Sequence, residues 1–175
     1  MKRLLNALGF ICAIGMIFSS MVAFAEADAA KAPVEAKKAL TTITRADVEA
    51  LIKLAEKATL EKDLELLGSL MADDAKIIYI NAPNLPPRME QGKTDYLHVT
   101  RFGMLPVEKL EITRKDFDIR IEEDGKKATI RNICVQRATI QGKVTETTVR
   151  EFNVCELRDG KILYVRTEGE YISEK

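Results

Sequence analysis

The chain has 175 residues, with 27 Lys and Arg, 27 Asp and Glu and one His, and 46% of its residues are hydrophobic. This length and composition predict a single globular domain. The balanced charge gives no basic face for nucleic acid, and one histidine excludes a metal site built from several histidines of one chain. Phosphate-binding loops and Gly-x-Ser-x-Gly motifs are also absent from the sequence, so we expect neither a cofactor nor a bound metal.

The first 25 residues have the pattern of a bacterial signal peptide. Lys2 and Arg3 give a positive start, residues 8–18 give an apolar core, and Ala23-Phe24-Ala25 forms a cleavage site. We therefore expect cleavage after Ala25 and a periplasmic or secreted protein, although an uncleaved amino-terminal anchor would show the same apolar run. Later apolar runs fall short of the ~20 residues that cross a bilayer, so we expect no membrane span after processing.

Residues 26–42 are rich in Ala and Lys and predict a flexible linker, which makes residues 43–175 the folded domain. Thr44 and Asp47 have the spacing of a helix capping box. The apolar residues that follow recur at helical spacing, which predicts the first helix: Val48, Leu51, Ile52, Ala55 and Ala58.

Two helices, one strand and one loop are predicted before the spacing of the apolar residues changes from helical to alternating. Asp63 is the expected N-cap of a second, short helix. A short strand is predicted over residues 77–80, and residues 81–87 contain three prolines and therefore predict a loop. Thr94 is the expected N-cap of a third helix.

From Ile112 onward, apolar residues alternate as they do in β-strands. The turn dipeptides Asp124-Gly125, Gln141-Gly142 and Asp159-Gly160 divide this region into four antiparallel strands. We predict these strands over residues 112–122, 127–140, 143–157 and 161–172. Helices followed by an antiparallel sheet are typical of the α+β class.

Two-residue turns fix which residues of neighbouring strands lie opposite each other. They place Ile121 opposite Ala128, Cys134 opposite Val149 and Cys155 opposite Tyr164. One face then carries the apolar residues that would receive the helices: Phe117, Ile119, Ile121, Ala128, Ile130, Cys134, Val149, Cys155, Leu157, Ile162 and Tyr164. Its far end becomes polar through Asn132, Glu151, Asn153, Arg166 and Glu168. A one-residue bulge would exchange the two faces beyond it.

The opposite face of the sheet has an apolar centre, formed by Ile133, Val135, Phe152, Val154, Leu163 and Val165. A continuous apolar patch of this kind usually marks an interface. We therefore predict a homodimer that pairs through these six residues, with coverage by the carboxy-terminal tail or the linker as the alternative.

The same register separates the two cysteines that remain after processing. Cys155 lies opposite Ala128, about 20 Å along the strand from Cys134 at ~3.4 Å per residue. A disulfide needs Cα atoms within roughly 7 Å, so we expect two buried free thiols.

Four short motifs together resemble the SnoaL-like branch of the nuclear transport factor 2-like superfamily. They are Lys62-Asp63-Leu64-Glu65, Met71-Ala72-Asp73-Asp74-Ala75, Gly92-Lys93-Thr94 and Arg158-Asp159-Gly160-Lys161. The resemblance spans about residues 44–172. It implies a strongly bent antiparallel sheet wrapped around helices, a cone-shaped, cystatin-like roll with a pocket at its open end. Many members also pair through the outer face of the sheet.

The resemblance and the sorting of faces together suggest a ligand pocket. Its candidate lining residues are Tyr79, Phe117, Asn132, Asn153, Tyr164 and Arg166. Phe117 and Tyr164 would hold the body of a small, mostly apolar ligand, while the asparagines and Arg166 would bind its polar end. Arg166 would favour an acidic group on that ligand.

Proton-transfer enzymes of this superfamily, such as those resembling ketosteroid isomerase, carry an aspartate base, a phenolic donor and a protonated acid. The corresponding positions here are Tyr79, Ala55 and Asn153, and all three depart from that pattern. The favoured interpretation is therefore a non-catalytic, homodimeric binding module.

Two other functions remain open at this point. The first is an acid–base isomerase or dehydratase that uses Glu151 or Glu168 as base and Tyr79 or Tyr164 as donor. Glu151 and Glu168 are expected to lie opposite each other with Arg166 diagonal to Glu151, so that one carboxylate has a raised pKa or Arg166 neutralises both. The second is an envelope protein–protein adaptor whose cone is filled by its own side chains.

Overall fold

A computed structural model describes residues 39–174 of the chain. The predicted signal peptide and most of the predicted linker lie outside these residues. Three helices and six strands follow one another: α1 (Arg45–Leu60), α2 (Leu64–Ser69), β1 (Met71–Ile80), β2 (Arg88–Gly92), α3 (Lys93–Met104), β3 (Val107–Ile121), β4 (Lys127–Ile140), β5 (Lys143–Arg158) and β6 (Lys161–Glu174). Within the described range, no helix combines the length and the apolar character needed to cross a membrane.

Local side-chain hydrogen bonds start the first two helices as predicted. The Thr44 hydroxyl accepts from the Asp47 amide at 3.3 Å, and the Asp47 carboxylate accepts from the Thr44 amide at 2.9 Å. Asp63 caps α2 by accepting from the Leu66 amide at 2.9 Å. The third prediction is wrong, because α3 begins directly after β2 and Gly92, not Thr94, occupies its N-cap position with extended backbone.

The strands form one curled, unclosed sheet in the order β2-β1-β6-β5-β4-β3. The β1–β6 pair is parallel and the other pairs are antiparallel. β1 begins at Met71 and not at residue 77, because Met71 pairs with Tyr164 of β6 and Lys76 pairs with Gly92 of the unpredicted strand β2. The predicted α+β class, with helices packed in a bent sheet, is confirmed.

The hairpin registers are confirmed at all three predicted pairs: Ile121 lies opposite Ala128, Cys134 opposite Val149 and Cys155 opposite Tyr164. The core lies between this inner face and the helices, where Val48 and Ala55 of α1 and Ile130 of β4 are buried. The last residues of the predicted linker are also fixed, since the Leu40 amide donates to Gly160 O at 3.2 Å.

Two bulges change the predicted faces. In β3 the register shifts between Lys115 and Asp118, where Asp116 has a φ of 59°. In β6 the register shifts at Val165, because Cys155 pairs with Tyr164 while Val154 pairs with Arg166. A bulge of one residue sends the following side chains to the other face of a sheet.

Candidate functional site

The bulge in β3 turns one arginine into the interior of the sheet. Ile119 and Ile121 face the helices, and uninterrupted alternation would place the even-numbered Arg114 on the outer face. The shift after Lys115 reverses this phase, so Arg114 lies opposite Cys134 and only 2% of its side chain is exposed. Arg114 was not among the site residues predicted from the sequence.

Arg114 forms a buried ion pair with Glu151 of β5, whose side chain is 0% exposed. Its Nε donates to Glu151 Oε2 at 2.9 Å and its Nη2 donates to Oε1 at 3.2 Å, which is the two-pronged arrangement that an arginine and a carboxylate prefer. Asn132 of β4, directly opposite Glu151, donates to Oε2 at 2.8 Å. Both carboxylate oxygens of Glu151 are therefore already hydrogen-bonded.

Charge attraction keeps the buried Arg114 guanidinium protonated. Burial acts to lower the pKa of Arg114, but charge attraction and hydrogen bonding to Glu151, with contributions from Cys134 and Tyr164, together raise the pKa above its ordinary value. The two opposite charges compensate each other inside the domain.

Two more polar side chains share the inner face. Tyr164 of β6 is 1% exposed, and Asn153 of β5 is also buried. Neither the Tyr164 hydroxyl nor Asn153 Oδ1 has a hydrogen-bond partner among the described residues. A buried polar group without a partner costs about 1–3 kcal/mol. We call Arg114, Asn132, Glu151, Asn153 and Tyr164 together the inner polar cluster.

Titratable groups around the cluster are held in their neutral forms. Burial raises the pKa of Tyr164 well above its ordinary value, and Arg114 and Glu151 both lie close enough to act on it. Burial, with a further effect of Glu151, raises the pKa of the Cys134 thiol. Burial also raises the pKa of Tyr96 on α3 to about 12. The cluster therefore offers neutral hydroxyl and thiol groups beside one compensated charge pair.

The predicted free thiols are confirmed: Cys134 and Cys155 are both free and buried. Among the described residues, no group of His, Cys, Asp and Glu side chains is arranged to hold a metal ion.

The structure brings only part of the predicted pocket together. Asn132, Asn153 and Tyr164 join the inner polar cluster. Tyr79 is buried in the core nearby, where its hydroxyl accepts from Gln91 Nε2 at 2.7 Å and burial raises its pKa. Phe117 lies at the β3 bulge and is 43% exposed, which separates it from the other candidates.

The prediction that Glu151 and Glu168 lie opposite each other is wrong. Glu151 lies opposite Gly169, because the bulge at Val165 shifts β6 by one residue. Glu168 instead lies opposite Phe152 on the outer face and forms an ion pair with Arg166, whose side chain is 45% exposed. Arg166 therefore cannot neutralise Glu151, and Arg114 has that role.

The outer face keeps an apolar centre but also carries charges. Ile133, Val135, Phe152, Leu163 and Val165 are partly buried and Val154 is buried. The Arg131 guanidinium stacks over the Phe152 ring at 5.3 Å, and the Arg150–Glu170 ion pair flanks them.

No family model and no curated protein matches the sequence. Solved structures do match it. A conserved protein from Planctomyces limnophilus is 21% identical with a TM-score of 0.63, covering 73% of this chain and 94% of that one. An NTF2-like protein from Cytophaga hutchinsonii is 19% identical with a TM-score of 0.60, covering 74% of this chain and 100% of that one. The chain has the nuclear transport factor 2-like fold.

The same fold occurs in LinA, a hexachlorocyclohexane dehydrochlorinase, one structure of which is 13% identical with a TM-score of 0.63 over 75% of this chain and 87% of that one. The predicted resemblance to the superfamily is thus confirmed at the level of its fold. At identities of 21% or less, these matches show the fold alone, and they assign no activity to the inner polar cluster.

Proposed function

We propose that this chain is an exported, non-catalytic binding module. Its nuclear transport factor 2-like domain would enclose a small, mostly apolar ligand against the inner polar cluster, and two domains would pair through the outer face of the sheet.

The observation that carries the proposal is that two buried polar groups of the inner polar cluster have no hydrogen-bond partner within residues 39–174. Asn153 Oδ1 and the Tyr164 hydroxyl lie on neighbouring strands of the inner face. Native interiors rarely leave such groups unsatisfied, and those that are found often mark a site for a ligand or an ordered water. Because both residues are almost completely buried, a ligand that reaches these atoms would be enclosed by the sheet and the helices.

Apolar side chains supply the rest of the lining. Ala128 lies opposite Cys155, and Ile130 lies opposite Asn153. Both are buried on the inner face, next to the polar groups. A ligand with an apolar body and one polar end would fit this combination.

The arrangement of the acids favours binding over proton transfer. Glu151 would have to break its bonds to Arg114 and Asn132 before it could accept a proton from a substrate. Glu168 lies on the other face with Arg166. Tyr79, the remaining candidate, has a hydroxyl that is engaged by Gln91 and a raised pKa.

Native mass spectrometry of the full chain, expressed in a bacterial host and purified without denaturation, tests this function. We expect a dimer that retains a small molecule, and we expect the molecule to be released on denaturation. The double variant Tyr164→Phe/Asn153→Leu should retain much less of it, whereas the matched outer-face variant Arg166→Gln should retain as much as the wild type. Loss of the molecule in Arg166→Gln alone would contradict the proposed site, and its absence from the wild type would contradict the proposed function.

The dimer is tested separately at Phe152, near the centre of the outer face. Phe152→Glu should convert a dimer to a monomer in light scattering coupled to size exclusion, because a charge would be buried in the apolar interface. Phe117→Glu, at the exposed bulge, is the control. A wild-type monomer would refute this part of the proposal.

A further inference from the structure

The charges of the inner polar cluster restrict the ligand class. Arg114 and Glu151 compensate each other and use both carboxylate oxygens. Glu56 of α1 is also buried and acts on Cys134, but it is itself engaged in an interaction within the domain. These three described residues therefore provide no available counter-ion for a charged ligand, and an uncompensated buried charge costs several kcal/mol.

The hydrogen-bonding pattern restricts the ligand further. Asn153 Oδ1 accepts a hydrogen bond, and a protonated tyrosine hydroxyl can donate and accept one. Asn153 is a diagonal cross-strand neighbour of Tyr164, within reach of an aromatic side chain. A ligand hydroxyl could donate to Asn153 and accept from Tyr164 at the same time. A carbonyl oxygen, which only accepts, would leave Asn153 Oδ1 without a partner.

We infer that the ligand is an uncharged alcohol whose hydroxyl group binds between Asn153 and Tyr164 and whose apolar body lies against Ala128 and Ile130. This inference rests on the proposed binding function and specifies its ligand class. It also replaces the sequence-based expectation of an acidic group, since Arg166 faces away from the cluster.

Four probes of equal chain length test the inference: 1-octanol, 2-octanone, octanoate and octylammonium. Each is titrated into the purified full chain by calorimetry, after any retained molecule has been removed by extensive dialysis. We expect 1-octanol to bind about fivefold tighter than 2-octanone, which lacks the donor. We expect it to bind at least about tenfold tighter than either charged probe, because the charged probes must lose their hydration without a counter-ion.

Matched variants locate the hydroxyl. Tyr164→Phe and Asn153→Leu should each weaken 1-octanol binding about fivefold, because each variant removes one hydrogen bond to the alcohol. Asn153→Leu should weaken the binding of 2-octanone less than that of 1-octanol. Arg166→Gln should change neither affinity. Tyr164→Phe keeps the ring and removes only a hydroxyl that bonds to no other described residue, so it should fold as the wild type does.

Several results would overturn the inference. Tighter binding of octanoate or octylammonium would show that a charge is accommodated, and it would leave the proposed binding function standing with another ligand class. An unchanged 1-octanol affinity in both variants would place the hydroxyl elsewhere. Failure of all four probes, together with the absence of a retained molecule in native mass spectrometry, would overturn the inference and the proposed function together.

Discussion

Removing the guanidinium of Arg114 should destabilise the domain strongly. Arg114→Met keeps an unbranched apolar chain but leaves the Glu151 carboxylate buried without its counter-charge. Only 2% of the Arg114 side chain and 0% of the Glu151 side chain are exposed, so water screens neither partner. Breaking a buried pair on one side typically costs about 3–5 kcal/mol.

That cost is large compared with the stability of a whole domain, which is typically about 5–15 kcal/mol. Asn132 cannot replace the arginine, because its single hydrogen bond to Glu151 at 2.8 Å brings no charge. Arg114→Met should therefore unfold at a much lower urea concentration than the wild type.

Removing both charges should restore most of the lost stability. In Arg114→Met/Glu151→Leu neither charge of the pair remains, and replacing a buried pair by apolar residues is often neutral or stabilising. The amide of Asn132 loses its acceptor, which costs about 1–3 kcal/mol. We therefore expect the double variant to lie within about 3 kcal/mol of the wild type and above Arg114→Met.

Urea unfolding followed by far-ultraviolet circular dichroism at neutral pH gives the free energies of unfolding. The control is the outer-face pair, where Arg166→Met should cost about 0–1 kcal/mol because that arginine is half exposed. A cost of Arg114→Met as small as that of the control would refute the buried pair. The single variant Glu151→Leu completes the comparison. A destabilisation of the double variant equal to the sum of those of Arg114→Met and Glu151→Leu would also refute the pair, because it would show that Arg114 and Glu151 do not interact.

Three other predictions concern single groups. Tyr164→Phe should leave the ligand-free domain as stable as the wild type or up to about 1 kcal/mol more stable in urea, because it removes a buried hydroxyl that has no hydrogen-bond partner in the described part of the chain; a clear loss of stability would reveal a partner for that hydroxyl. A hydrogen bond from Arg158 lowers the pKa of Asp74 below its ordinary value of 3.8, so this pair stabilises the fold at pH values above 3.8. That stabilisation is lost as the pH falls below 3.8 and passes through the lower pKa of the folded state. Arg158→Gln should therefore flatten the decline of the melting temperature below about pH 4, and an unchanged acid profile would contradict the pairing. Burial raises the pKa of Cys134 and Cys155, so neither should react with iodoacetamide at pH 8 until urea unfolds the domain, and rapid labelling of the native protein would contradict their burial.

The sequence predicts the hairpin registers well because short turns determine them. Gly125, Gly142 and Gly160 have positive φ, as tight hairpin turns require. With the turns in place, strict alternation in β4 and β5 assigns the inner residues correctly along both strands. Asn132, Asn153 and Tyr164 could therefore be placed on one face without a structure.

The bulges are the main features that alternation does not capture. In β3 the sequence holds a signal, because Leu110 and Ile112 are apolar at even positions while Ile119 and Ile121 are apolar at odd positions. That change of phase requires a bulge between them and would have placed Arg114 on the inner face.

The bulge in β6 gives no such signal. The residues after Val165 are mainly polar and charged on both faces, so no apolar alternation records the shift. Phe152 and Val154 of β5 then lie beside Glu168 and Arg166, which the sequence had assigned to the interior. The short edge strand β2 was missed for a related reason, because Met89 is its only apolar residue and a single apolar residue does not distinguish a strand from a loop.

The central claim is that the interior holds the Arg114–Glu151 ion pair beside Asn153 Oδ1 and the Tyr164 hydroxyl, which have no hydrogen-bond partner among the described residues and which we propose bind a ligand. The most direct test is a nitrogen-15 correlation NMR spectrum of the side chains, recorded during a titration with 1-octanol. We expect an Arg114 Nε–H signal that is protected from exchange and stays in place, while the Asn153 side-chain amide signals shift with the alcohol. An Arg114 signal that exchanges rapidly with water, or shifts confined to residues of the outer face, would contradict the claim.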